Sequence, residues 1–100
     1  MKTIAVWGTL RKGRGNNWLL ENQKFVGVDK AIGVLCDTYY LSTELTNRKE
    51  DMSEVEVYEI SEECYNHLNE FENRFGFYSR DIELESGSSA RIWLSGVVDN

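Results

Sequence analysis

Residues 54–73 change hydrophobic period once, at Ser61, and this change constrains the fold more than any other feature of the chain. Before it, Glu54 to Ile60 (EVEVYEI) alternates polar and apolar side chains, the period of a strand with one covered face. After it, Cys64, Leu68 and Phe71 recur at helical spacing. Ser61 suits an N-cap, and Glu62 and Glu63 fall in the first turn, where the helix dipole favours anions. The helix is expected to run to about Asn73. A strand followed by an amphipathic helix is one part of the mixed α+β domain that the count of elements along the chain predicts.

The remaining chain supplies more strands. Thr3 to Trp7 (TIAVW) is β-branched and apolar throughout, and reads as a buried strand. A glycine-rich turn follows from Gly8 to Gly15, after which Asn16 or Asn17 is expected to cap a short helix through Trp18, Leu19 and Leu20. Lys24–Val28 and Ala31–Leu35 read as two strands joined near Asp29-Lys30, each with a glycine marking a bend or bulge. Thr38 to Leu41 is read as strand, and Ser42 to Asp51 as polar loop. Tyr78–Glu85 and Ala90–Leu94 form a last hairpin across Ser86-Gly87-Ser88-Ser89. The expected architecture is one domain over residues 1–100: six or seven short strands in a curved sheet or small barrel, with two main helices packed outside. Trp7, Trp18 and Trp93 are expected in the core or a pocket wall.

Composition removes several function classes. Hydrophobic residues at 41% and charged residues at 28% describe a chain that folds around a core. No apolar run approaches the roughly 20 residues of a membrane span, and no long apolar stretch opens the chain, so a cytoplasmic protein without membrane contact is expected. The net charge of −6 lacks the broad basic footprint of a nucleic-acid binder. Residues 1–49 carry eight Lys/Arg against four Asp/Glu, and residues 50–100 three against thirteen. The basic cluster Arg11, Lys12 and Arg14 suits either a small anion or a solvated loop. Cys36 and Cys64 lack C-x-x-C spacing and read as free thiols. With His67 the one histidine, neither a histidine-rich metal site nor a Cys-His or Ser-His pair is supported. Neither metal nor cofactor is expected.

One carboxylate stands out on the helix. Advancing about 100° per residue from Cys64, Leu68 falls near 40°, Phe71 near 340° and Tyr65 near 100°. Glu62, Glu63 and Glu70 project to roughly 160°, 260° and 240°, away from that face, whereas Glu72 falls at about 80°, between Leu68 and Tyr65. A carboxyl held among core residues has a raised pKa and becomes a candidate proton carrier. The alternatives are escape to water where the helix frays, or an ion pair with Arg74 or Arg80.

The glycine-rich turn matches the opening of a P-loop only superficially, because Arg14 and Gly15 stand where Lys and Ser/Thr are required. Successive N–H groups after a strand still form a nest for a carboxylate or an oxyanion, and a purely structural turn is the other reading. Taken with the helix, these blocks resemble the γ-glutamylcyclotransferase-like family, which includes the γ-glutamylamine cyclotransferases and AIG2-like proteins. Trp7-Gly8-Thr9-Leu10, followed by the basic stretch to Asn16, is similar to its first block, Tyr-Gly-Thr/Ser-Leu. Val55-Glu56-Val57-Tyr58-Glu59-Ile60 resembles its middle strand, Gly-Glu-Val-Tyr-Glu-Val. Leu68-Asn69-Glu70-Phe71-Glu72, then Tyr78-Ser79-Arg80, resembles its last block, Leu-Asp-x-Leu-Glu then Tyr-x-Arg, and Trp93 falls where the family has a final aromatic strand.

The resemblance implies an enzyme that cyclises a γ-glutamyl amine or γ-glutamyl amino acid to 5-oxoproline and releases the amine. It places Glu72 as general acid/base, with Trp7, Gly8, Thr9, Leu10 and Tyr78 around the substrate and Arg80 in a structural role. The implied partner is a small molecule with a γ-glutamyl or similar anionic group. The chain departs from the family pattern at Trp7 for tyrosine, Val55 for glycine and Asn69 for aspartate, and matches it poorly over residues 37–53. The competing expectation is a non-catalytic pocket protein of the same fold that binds a small anionic metabolite or a protein partner.

Overall fold

The computed structural model describes residues 1–37 and 42–95. The strands are β1 (Lys2–Val6), β2 (Lys24–Ile32), β3 (Val34–Asp37), β4 (Ser42–Leu45), β5 (Met52–Ile60), β6 (Phe77–Leu84) and β7 (Ser89–Ser95), with one α-helix, α1 (Glu62–Arg74), between β5 and β6. Five strands close a barrel in the order β1-β5-β2-β6-β7, and β3 and β4 form a separate hairpin. Neighbours in the barrel are antiparallel except β1 and β7, whose parallel pairing sets Ile4 opposite Arg91. Closure leaves the barrel strands no open edge.

Strand alternation builds two cores on either side of the barrel wall. Ala5, Val55, Val57, Ile82, Leu84, Ile92 and Leu94 fill the interior. The residues one step out of phase, Ile4, Val6, Tyr58, Ile60 and Trp93, face outward and meet Leu68 of α1. Burial on both faces is why β1 reads as an unbroken apolar run rather than an alternating one. The Ser61 side chain accepts the Cys64 N–H at 3.1 Å, so the predicted N-cap forms.

Four expectations need correction. The two strands read across residues 24–35 are one long strand to Ile32: Asp29 and Lys30 continue the ladder opposite Val55 and Glu54, and the bend lies at Gly33. Gly33 takes φ 81°, and a Cβ there would sit 3.3 Å from the Asn47 Cα, so both conformation and space favour glycine. The glycine expected to mark a bulge in the first half does so, with the register slipping between Phe25 and Gly27. The second main helix is a single 3₁₀ turn, Asn17–Leu20; Asn16 holds the cap position but its side chain makes no cap hydrogen bond. Ser42–Leu45, read as loop, is a strand, held to β7 where Ser95 N–H donates to Thr43 Oγ1 at 2.7 Å. Trp18 is 65% exposed, because a short 3₁₀ turn covers too little surface to bury both Leu20 and its neighbour. The strand read over Thr38–Leu41 lies outside the described residues.

Candidate active site

The site is built where three segments meet at the barrel rim. Glu72 lies one turn beyond Leu68, on the same face of α1. Leu68 is fully buried against the barrel, so the same face carries Glu72 inward to 7% exposure. It opens onto a cavity of about 520 Å³, whose walls include Gly8, Thr9, Leu10 and Asn16 from the loop after β1. The other walls are mostly aromatic, with Trp7, Phe71, Phe75, Phe77 and Trp93 beside Ala5 and Val6 of β1.

No hydrogen bond or ion pair among the described residues reaches the Glu72 carboxyl. Arg80 instead donates to the Ser79 carbonyl and lies over the Tyr78 ring at 4.4 Å. Burial alone pushes the Glu72 carboxyl up to about 7, from an ordinary value of 4.5. The group is therefore poised to hold or release a proton near neutrality. Both cysteines are poor nucleophiles, since burial pushes the Cys36 thiol up to about 11 and raises that of Cys64.

Two asparagines clamp the loop. Asn16 donates from Nδ2 to Thr9 Oγ1 at 2.8 Å and from its backbone N–H to the Thr9 carbonyl at 2.9 Å. Asn17 Nδ2 donates to the Leu10 carbonyl at 2.7 Å. These bonds use the acceptors of the loop, while none among the described residues uses the N–H groups of Gly8, Thr9 or Leu10. The basic cluster is turned elsewhere. Arg11 Nε donates to the Gly8 carbonyl, and Lys12 Nζ lies 3.7 Å from the centre of the Phe25 ring. Neither side chain lines the cavity.

The aromatic walls are also fixed. Trp7 stacks on Phe77 with centroids 6.1 Å apart, and its Nε1 donates to the Trp93 carbonyl at 2.7 Å. Trp93 Nε1 in turn donates to Asn69 Oδ1 at 3.0 Å. Asn69 thus meets a buried indole donor, which an aspartate at this position would also satisfy. Val55, the other departure from the family pattern, fills the barrel interior.

The structure brings Trp7, Gly8, Thr9, Leu10 and Glu72 to one cavity and leaves Tyr78 off its walls. Tyr78 shares a phase with Ile82 and Leu84 and packs on the interior cluster, whereas Phe77, one residue out of step, touches both the interior and the outer cluster and reaches the cavity. Sequence reading missed Phe75 and Phe77 as walls. The available signal was Phe75 at i+4 from Phe71, which continues the apolar stripe at about 20° past the helix end.

Fold and cavity together define a class: a small closed barrel, flanked by one helix, with a cavity at its rim that contains a single buried acid. More narrowly, the chain belongs to the gamma-glutamyl cyclotransferase, AIG2-like family, whose model matches residues 4–96. PH0828 of Pyrococcus horikoshii, provisionally named a gamma-glutamylcyclotransferase, is 34% identical over 93 residues, covering 93% of this chain and 78% of that protein. Its crystal structure superposes with a TM-score of 0.81 at 32% identity, over 100% of this chain and 82% of that one. YkqA from Bacillus subtilis gives 0.80 at 24% identity, over 97% of this chain and 36% of its own. Kluyveromyces lactis allophanate hydrolase gives 0.75 at 18%, over 95% of this chain and 17% of its own, a likeness of fold alone. Among the described residues, no helix is long and apolar enough to cross a membrane.

Proposed function

We propose that the protein is a cyclotransferase that converts a γ-glutamyl amide to 5-oxoproline and a free amine, with Glu72 as general acid/base. The observation that carries this reading is a nearly buried carboxyl, raised to about 7 and without a hydrogen-bond or ion-pair partner among the described residues, in the same cavity as the Gly8–Leu10 loop. In this reaction the substrate supplies its own nucleophile. Its α-amine, reacting after loss of one ammonium proton to water, attacks its own γ-carbonyl carbon and forms the ring C–N bond. Proximity is intramolecular, so no protein nucleophile is needed. The Glu72 carboxylate takes the second proton from the attacking nitrogen and returns it to the leaving nitrogen as the original amide C–N bond breaks. The released amine then takes one proton from water. In this reading, the Gly8, Thr9 and Leu10 N–H groups bind a substrate oxygen, and Trp7 packs against the glutamyl chain.

The test is 5-oxoproline release from a panel of γ-glutamyl amines and γ-glutamyl amino acids, followed by mass spectrometry. Glu72→Gln keeps the size but cannot carry the proton, so the rate should fall about 10²–10⁴-fold. Glu70→Gln, on the exposed face, is the control and should leave the rate near wild type. Equal behaviour of the two variants, or an inactive wild type across the panel, overturns the proposal.

A further inference from the structure

The cavity extends from Glu72 and the Gly8–Leu10 loop to the exposed ring of Phe75. Resting on the cyclotransferase reading, we infer that the leaving amine is uncharged and apolar, and that Phe75 at the cavity mouth determines this specificity. Glu72 is the one ionisable side chain on the described walls. With Glu72 engaged at the reacting nitrogens, a leaving group bearing an ammonium or a carboxylate at its far end would meet aromatic wall there and no charged partner. The basic residues nearest in sequence to the loop are held away, Arg11 on the Gly8 carbonyl and Lys12 over Phe25.

Phe75 gives the inference its geometry. It occupies the C-cap of α1, and its ring meets that of Phe71 edge-on, with centroids 5.1 Å apart. It lines the cavity yet is 65% exposed. An exposed phenyl at the lip of an aromatic cavity leaves apolar area uncovered, which an apolar ligand would remove from water. An alkyl or aryl amine leaving from the glutamyl carbonyl would cover it. Gly76 follows with φ 84°, a left-handed turn that ends the helix between two wall residues, Phe75 and Phe77.

The experiment uses three γ-glutamyl amides of nearly equal length: those of n-hexylamine, of 1,5-diaminopentane and of 5-aminopentanoic acid. The first two differ only in a terminal methyl against an ammonium. The hexyl amide should give the highest kcat/KM, by roughly 10–200-fold, the range a hydrophobic pocket provides for small differences in fit. Phe75→Ala should reduce that preference, mainly through KM, and Phe75→Glu should shift it toward the ammonium substrate. Trp18→Ala, an equally exposed aromatic away from the cavity, should leave the three values in their wild-type ratio. Equal turnover of the hexyl and ammonium substrates overturns the inference and leaves the cyclotransferase reading standing. So does a Phe75→Ala effect that scales all three substrates alike. Inactivity on all three overturns the inference, and the cyclotransferase reading falls with it only when the wider panel of γ-glutamyl amines and γ-glutamyl amino acids is inactive as well.

Discussion

The two cores of this protein are built differently. The barrel interior is almost wholly aliphatic, with Ala31, Val55, Val57, Leu84, Ile92 and Leu94 closing on one another and no ionisable side chain among them. The layer between barrel and helix mixes Ile4, Ile60 and Leu68 with Tyr58 and Trp93, and its polar atoms are paired. Asn17 donates to the Tyr58 hydroxyl at 3.1 Å, and Asn69 accepts from Trp93. A closed ladder satisfies its backbone groups around the ring, so the interior needs only packing. The outer layer must instead fasten a helix and a loop to a curved wall. Where α1 runs past the rim, this fastening leaves the cavity. Frame and site are thus separable, and each can be broken without the other.

The largest effect expected from that separation is in the interior. Leu84→Ala removes a side chain that is 2% exposed in the interior cluster and leaves a hole in a closed barrel. Unfolding free energy should drop by about 2–5 kcal/mol. Turnover per folded molecule should stay within a factor of two or so, because Leu84 does not line the cavity and meets it only through the cluster it shares with Ala5 and Trp7. Denaturant melts alongside rate measurements check both. A large loss of rate in the molecules that remain folded would show that frame and site are one unit.

The next effect has the opposite sign and comes from the site. Folding raises the Glu72 carboxyl from 4.5 to about 7. Between those values the native state holds a proton that the unfolded chain has released. Wild-type stability therefore falls as pH rises through this window, then levels off above about pH 7. The full penalty is about 3 kcal/mol at roughly 1.4 kcal/mol per unit. Glu72→Gln carries no such charge, so its stability advantage over wild type should be absent near pH 4 and grow to that order by pH 8. Paired thermal melts across this range measure it. A difference independent of pH would mean that the carboxylate is solvated in the folded protein.

The same contrast governs what the sequence discloses. The strand-to-helix change at Ser61, the Ser61 cap and the inward phase of Glu72 are local periodicities, and they were legible. The extent of β2 was not, because Asp29-Lys30 has turn composition and stays extended only through its ladder with Val55 and Glu54. The β4 strand has polar sequence and is set by the Thr43–Ser95 bonds, a pairing across 52 residues. Within the site, Trp7 to Leu10 and Glu72 followed from motif and helix phase. Tyr78, which the motif groups with the substrate, is not among the cavity walls, and its strand phase is set by pairing with Leu94, which the motif does not encode. The asparagine clamp on the loop was unreadable for a related reason: Asn16 and Asn17 have the composition of a helix cap, and only the folded turn directs them back to Thr9 and Leu10.

The smallest effect tests how finely the outer layer tunes the site. Asn69 stands where the family pattern has aspartate, three residues before Glu72 on the same helix. Asn69→Asp keeps an acceptor for Trp93 Nε1, so the aromatic wall should hold and stability should change by less than about 0.5 kcal/mol. It also adds a negative charge at i, i+3 from Glu72. Like charges at this spacing cost about 0.2–0.5 kcal/mol on a helix, which corresponds to roughly 0.1–0.4 pKa units. The sign is upward, because a second carboxylate disfavours the charged form of the first. Titration of the Glu72 side-chain carboxyl carbon by NMR reads the shift directly, whether or not a substrate is in hand. A shift downward, or one of several units, would mean that the Trp93–Asn69 bond positions Glu72 as well as the ring, and that wall and acid move together.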